Sequence, residues 1–262
     1  MSDPVRLSDV GAGIAVLSWD PALDLETLQA AVTAITEQAL TSGVRRIEVA
    51  VPAADQWARR AFHRSGFRLE GVRRAAVPRP DGSFDDLVLY ARLADDLVGG
   101  PHGFSSVMNT VLPRKRLIAH VLMRDEAGRI LLCDTAFKTD WELPGGIVEP
   151  GEPPRTGAVR EVREELGIDR AIGRLLVADW LPPYLGWEDA VELIFDGGIV
   201  TESQLATFSL QPNEIKRVEL VTLDHAADLV TPLSHRRLTV AMELTSRPAS
   251  SETAYLENGR RT

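Results

Sequence analysis

Three glutamates, Glu161, Glu164 and Glu165, stand at i, i+3 and i+4 in the segment Arg160-Glu161-Val162-Arg163-Glu164-Glu165-Leu166-Gly167-Ile168. On a helix that spacing puts all three carboxylates on one face. Like charges so placed repel, each pair costing a few tenths of a kcal/mol on a bare helix, and their pKa values rise together. A divalent cation reverses the sign of that interaction. A cluster of hard oxygen donors suits magnesium or manganese, which keep several waters and share their coordination with substrate phosphates. The elements that must position these groups are legible nearby. Pro153 and Pro154 suit a first helical turn, and Gly167 suits the position just past the last one. Ala158, Val159, Val162 and Leu166 fall on the opposite side of the wheel and predict a face turned to a core. Taken alone, such a run of charge also describes a solvated helix face.

The triple does not stand alone. From Gly146 to Ile168 the chain presents Gly, five residues, Glu152, seven residues, Arg160-Glu161, an aliphatic residue, any residue, Glu164-Glu165, any residue, Gly167 and an aliphatic residue. The segment resembles the Nudix box at every fixed position. The resemblance implies an α/β/α sandwich and a magnesium-dependent pyrophosphohydrolase, with manganese an alternative metal, acting on a nucleoside diphosphate linked to another group. Carried over by position, Glu161 and Glu165 are the principal metal ligands, and Glu164 is a further ligand or the base that acts on the attacking water. Arg160 pairs with Glu152 and holds it in place, and the Gly146 carbonyl reaches a metal. A Nudix-fold module that senses a nucleotide without cleaving it is the competing reading.

The whole chain narrows the classes. With 262 residues, 44% hydrophobic and 26% charged, it is long enough for two ordinary globular domains of mixed α/β class. A net charge of −9 argues against broad nucleic-acid binding, which needs a basic surface. The single cysteine, Cys133, excludes an intramolecular disulfide and sits in an apolar run, so a buried thiol is expected. No segment approaches a membrane span and the N-terminus has no leader pattern, so a cytoplasmic protein with no membrane partner is expected.

Residues 1–96 read as a separate unit. Strands are expected at Gly13 to Trp19, Arg46 to Val51, Phe67 to Val77 and Phe84 to Leu93, with helices over Leu25 to Leu40 and Ala53 to Ser65. This order, with Asp55-Gln-Trp-Ala-Arg-Arg-Ala-Phe62-His-Arg-Ser-Gly66-Phe67, resembles the second half of GNAT acetyltransferases. Those enzymes place a glycine loop before a helix N-terminus, where backbone amides hold the cofactor pyrophosphate. Here the same place carries Asp20, Asp24 and Glu26 and no glycine, so a non-catalytic half-domain without acetyl-CoA is expected. Arg59, Arg60, Arg64, Arg68, Arg73, Arg74 and Arg79 make the stretch locally basic, and pairing with the acidic residues that follow is the expected arrangement. Val44 to Val51 and Leu87 to Leu93 are read as uncovered sheet segments, and with them comes the expectation of a homodimer or of packing within the chain.

Residues 97–115, with Gly99-Gly100-Pro101-His102-Gly103, read as a linker, and residues 116–247 as the Nudix unit. Strands are expected at Leu117 to Met123, Arg129 to Cys133, Ala171 to Trp180, Ala190 to Val200 and Val218 to Thr222, and a last helix at Ser234 to Thr245. A small nucleotide is the expected substrate, with Tyr184 and Trp187 as candidates to stack on its base and Glu214 as a further loop carboxylate toward the metal. A downstream proline, here Pro182 or Pro183, looks like the ADP-ribose group, and a tyrosine, here Tyr184, like the dinucleoside-polyphosphate group. Residues 248–262 turn polar and read as a mobile tail.

Overall fold

The computed structural model describes residues 3–248 and 252–262. The chain divides into two compact units, Met1–Pro113 and Arg114–Thr262.

The first unit runs β1 (Val5–Gly11), β2 (Ile14–Trp19), α1 (Leu25–Thr41), β3 (Arg46–Pro52), α2 (Gln56–Arg64), β4 (Arg68–Pro78), β5 (Phe84–Leu93) and α3 (Gly100–Val111). Its sheet has the order β1-β2-β3-β5-β4, with β2 and β3 parallel across the α1 connection. Ile47, Val49 and Val51 alternate toward the helices and bury with Leu28, Val32, Phe62 and Phe67, as a period of two requires. Asp24 and Asp55 cap α1 and α2 by accepting the Thr27 and Ala58 amides. Arg68 pairs with Asp96 and Arg79 with Asp85, the arrangement expected of a basic stretch followed by acidic residues.

Three expectations for this unit are corrected. A strand, β1, precedes the first one expected and pairs along β2; only Val5 of its seven residues is buried, which is why periodicity did not mark it. The two segments read as uncovered lie inside the sheet, β3 bonded to β2 and β5, and β5 to β3 and β4. The segment read as a linker carries α3. Pro101 occupies its first turn, and Gly103 sits where an added Cβ would come within 2.4 Å of the Val98 carbonyl carbon, so this glycine marks close packing and not a turn.

The second unit runs β6 (Arg116–Arg124), β7 (Ile130–Thr135), β8 (Gly145–Ile147), α4 (Pro154–Leu166), β9 (Leu175–Leu181), β10 (Ala190–Ile199), α5 (Glu202–Leu205), β11 (Ile215–Val221), α6 (Leu223–Leu229), α7 (Pro232–Thr245), β12 (Ala254–Glu257) and β13 (Arg260–Arg261). The sheet order is β11-β7-β6-β10-β9-β12-β13, with β8 pairing β6. β6 and β10 are parallel neighbours near its centre. One face packs Leu122, Ile130, Leu132, Leu176 and Ile194 against Leu238, Ala241 and Leu244 of α7. The other packs Ala119, Val121, Met123, Leu131 and Cys133 against Ala158, Val162 and Leu166 of α4. Consecutive residues of β6 and β7 thus serve opposite layers, and the α/β/α sandwich follows from that alternation. Cys133 is buried and free, as expected, and burial pushes its thiol well above the ordinary range.

The tail is also corrected. Residues 249–251 lie outside the described residues, but Ala254–Glu257 adds to the sheet as a parallel neighbour of β9 and turns back through Asn258-Gly259 into β13. Ala254 and Leu256 are buried and Tyr255 and Glu257 are exposed. Asn258 and Gly259 have φ of 55° and 71°, the left-handed pair of a two-residue hairpin turn. Two apolar residues in a polar surrounding are too short a pattern to stand out, although the Asn-Gly pair is the turn signal.

Candidate active site

The box helix is built as its sequence asks. Pro154 begins α4, and Gly167 ends it at φ 68°, its amide bonded to the Arg163 carbonyl. Pairing of β8 with β6 brings Gly145 and Gly146 beside Ala119 and His120. Gly145 has φ 129°, and a Cβ there would lie 2.3 Å from the Ala119 oxygen, so only glycine fits. At Gly146 a Cβ would come within 3.0 Å of the Glu161 carboxyl carbon. The two glycines therefore let the strand approach the helix closely enough for its carboxylates to meet the loop backbone.

The three box glutamates are not equivalent. Glu165 is 6% exposed and accepts the Gly145 amide at 2.8 Å. Burial pushes its carboxyl up to about 8, although the Gly145 hydrogen bond and the His120 charge pull the other way. Glu161 is half-buried, and burial also raises it, with Glu164 and Glu214 adding repulsion against the pull of Arg160. Glu164 stands outermost. Arg160 reaches Glu161 and Glu164 at 3.0 Å and both Glu152 oxygens at 3.1 Å. The Arg160–Glu152 pair holds the Glu152 carboxyl below its usual range and raises the arginine. Among the described residues no three His, Cys, Asp or Glu converge as a finished metal site. The donor chemistry nevertheless fits a hard cation, because two crowded carboxylates with raised pKa values border the Gly146 backbone.

A cavity of about 800 Å³ opens beside this cluster, lined by Gly146, Glu161 and Glu165 on one side and by Tyr184 and Trp187 on another. Glu164, Glu152 and Glu214 are not among its lining residues. Tyr184 and Trp187 exchange both backbone hydrogen bonds across Leu185-Gly186, whose φ values are 49° and 83°. This tight turn leaves both rings exposed, and the Arg116 guanidinium stacks on Trp187 at 4.5 Å.

His120, Glu192 and Arg237 line the cavity and were missed in the sequence, as was the fully buried Asp179 that lies behind Arg237. Arg237 of α7 bonds Asp179 of β9 at 3.1 Å and Glu192 of β10 at 2.9 Å, and His120 Nδ1 of β6 lies 2.9 Å from Glu192. All four are buried. For Glu192 burial acts upward, but Arg237 and His120 outweigh it and hold the carboxyl at about 2. For His120 burial acts downward, and Glu192 with the more distant Glu142 outweighs it and raises the imidazole. Asp179 stays above its ordinary value because burial prevails over the Gly259 amide and Arg237. Charged residues inside apolar strands, as in Ile118-Ala-His120-Val-Leu and Val191-Glu192-Leu-Ile, were the available signal.

A family model described as NUDIX domain matches residues 114–242. Residues 114–242 form a NUDIX domain. The CTP pyrophosphohydrolase of Escherichia coli (strain K12) is 41% identical over 66 residues, 24% of this chain and 47% of that protein. Diphosphoinositol polyphosphate phosphohydrolase 2 of Mus musculus is 38% identical over 64 residues, 24% of this chain and 36% of that protein. The chain thus spans less than half the length of either relative. A MutT protein structure from Methanosarcina mazei Go1 is 26% identical with a TM-score of 0.42, covering 51% of this chain and 96% of that one.

Proposed function

We propose that the NUDIX domain is a magnesium-dependent pyrophosphohydrolase of a nucleotide, cleaving between phosphorus atoms of its diphosphate. The observation that carries this reading is the shared cavity, in which Glu161, Glu165 and Gly146 face the same space as Tyr184 and Trp187. Its volume suits a ligand of nucleotide size. Glu161, Glu165 and the Gly146 carbonyl would hold the cation, and Glu152 with Arg160 would fix the loop against the helix. When bound, the cation would neutralise phosphate oxygens and lower the pKa of a water. Glu164, which pairs with Arg160 and does not line the cavity, is the poorer candidate for the proton acceptor, and the cavity-lining Glu142 is the better one.

Charge supports a nucleotide over a polyphosphorylated inositol. Two of the three Lys and Arg side chains of the cavity are already neutralised, Lys138 by Glu142 and Arg237 by Asp179 and Glu192, which leaves Arg116, on the Glu188 carbonyl and the Trp187 ring, as the one without a carboxylate partner among the described residues. A ligand carrying many phosphates needs free cations, whereas a base needs the exposed aromatic faces that are present. The reading is tested by incubating the full chain and Mg²⁺ with nucleoside triphosphates, dinucleoside polyphosphates, ADP-ribose and a diphosphoinositol polyphosphate. Phosphate is measured with and without added phosphatase. Turnover of a nucleotide supports it, and turnover of the inositol compound alone overturns it.

A further inference from the structure

The C-terminal hairpin carries polar groups to the cavity that the pyrophosphatase chemistry does not use. The Gly259 amide donates to both oxygens of the fully buried Asp179, at 3.0 and 3.1 Å. Asp179 is in turn the end of the buried chain through Arg237 and Glu192 to His120. The Asn258 amide donates to the Trp180 carbonyl at 2.9 Å, and Arg236 donates to the Asn258 carbonyl at 2.9 Å. The turn backbone is therefore fixed from three sides. Asn258 is exposed and lines the cavity, and its side-chain carboxamide has no hydrogen-bond partner among the described residues. Tertiary support of this kind fixes the backbone from which the carboxamide projects before any ligand arrives.

Position in the sheet says which part of a substrate such a residue would meet. The box loop pairs with β6, and the hairpin follows β9, so the order β6-β10-β9-β12 separates them by three strand spacings, about 14 Å. A nucleotide whose phosphates lie at Glu161 and Glu165 extends across the cavity in that direction. Tyr184, Trp187 and the aliphatic Leu181 and Pro182 provide faces along the way. A carboxamide presents one acceptor and two donors in a plane, the pattern that pairs with the edge of a nucleobase.

We infer that Asn258, set by the C-terminal hairpin on the buried Asp179–Arg237 pair, is a specificity-determining residue that hydrogen-bonds the base edge of a nucleotide held in the cavity. This rests on the nucleotide reading above and extends it to the recognised group. The segment that composition marks as a tail then becomes a wall of the site. It also separates bases from one another, since exchanging donor for acceptor at one residue reverses which edges are matched.

The experiment uses the full chain with Asn258→Gly and Asn258→Asp. Glycine removes the carboxamide and keeps the left-handed backbone without strain, and aspartate keeps the shape and the backbone but offers acceptors only. Initial rates are measured with Mg²⁺ for CTP, UTP, GTP, ATP and inorganic tripolyphosphate. Expected for Asn258→Gly is a KM about tenfold higher for the preferred nucleotide, from loss of one or two neutral hydrogen bonds, with kcat within threefold and tripolyphosphate unaffected. Expected for Asn258→Asp is a changed order of preference among the four bases. If the wild-type chain turns over a nucleotide but neither variant alters KM or base order, this inference is overturned and the pyrophosphatase reading stands. If wild type turns over no nucleotide, both are overturned.

Discussion

Replacing Arg237 by methionine keeps the length of the side chain and removes its charge. Arg237 is 7% exposed, and its two partners, Asp179 and Glu192, are 0% and 5% exposed, so water cannot take its place. Removing one partner of a buried ion pair costs about 3–5 kcal/mol, because the remaining charge is left uncompensated. The substitution here strips two carboxylates, but Asp179 keeps the Gly259 amide and Glu192 keeps His120, so that same range is expected rather than twice it. With a urea slope of about 2 kcal/mol per molar, the midpoint should fall by about 1.5–2.5 M at pH 7. Linkage gives the pH dependence. Glu192 is held down to about 2 in the wild type, so its contribution is present above the unfolded carboxylate range and is lost as pH falls toward 2. Without Arg237 both carboxyls titrate higher, so the gap between variant and wild type should narrow from pH 7 to pH 4.5. Urea unfolding of the full chain, followed by circular dichroism at several pH values, measures this. A loss under 1 kcal/mol at pH 7, or a gap that widens on acidification, would refute the reasoning.

Three further outcomes are expected. Because Glu165 sits at about 8 when folded and 4.5 when free, the folded chain holds the extra proton between those values, and its contribution to stability declines as pH rises through that window. A cation needs the ionised form, so Mg²⁺ affinity by calorimetry should strengthen from pH 6 to pH 8 with proton release, and a pH-independent affinity would contradict the assignment. Gly145→Ala should cost at least about 2 kcal/mol, since it combines a φ of 129° with a 2.3 Å approach to the Ala119 oxygen; unchanged thermal unfolding would refute the role given to that glycine. In the first unit, Asp24, Glu26 and Asp55 line a pocket of about 480 Å³ with Trp19 and Trp57, and Asp24 and Asp55 already occupy the helix N-termini. Acetyl-CoA should therefore show no heat of binding at micromolar concentration, and a saturable isotherm would restore a transferase reading.

The parts of the site that lie within one short segment were legible in the sequence. Gly146, Glu152, Arg160, Glu161 and Glu165 are spaced by one loop and one helix, and local geometry alone brings them together. Strand positions followed where side chains alternate, as in β3 and β10, and where an apolar run is continuous, as in β6. The cavity floor was not legible because it is assembled across the sheet. His120, Glu192 and Arg237, the Asp179 that Arg237 binds, and Asn258 come from four elements and a turn, and nothing in their separate surroundings says that one arginine joins two strands. Burial within the triple was not legible for a similar reason: helical spacing gives the three glutamates a shared face, but only the depth of packing against β8 decides that Glu165 is buried and Glu164 is not. The hairpin and α3 were missed because short elements held by tertiary contacts carry little periodic signal.

The most direct measurement of the central claim is the Mg²⁺-dependent rate of nucleotide cleavage by the full chain beside Glu161→Gln and Glu165→Gln. Each substitution removes one charged oxygen donor and little volume, so turnover of the best nucleotide should fall about 100-fold or more while thermal unfolding stays cooperative. A wild-type rate in either folded variant, or cleavage that persists when Mg²⁺ is chelated, would contradict it.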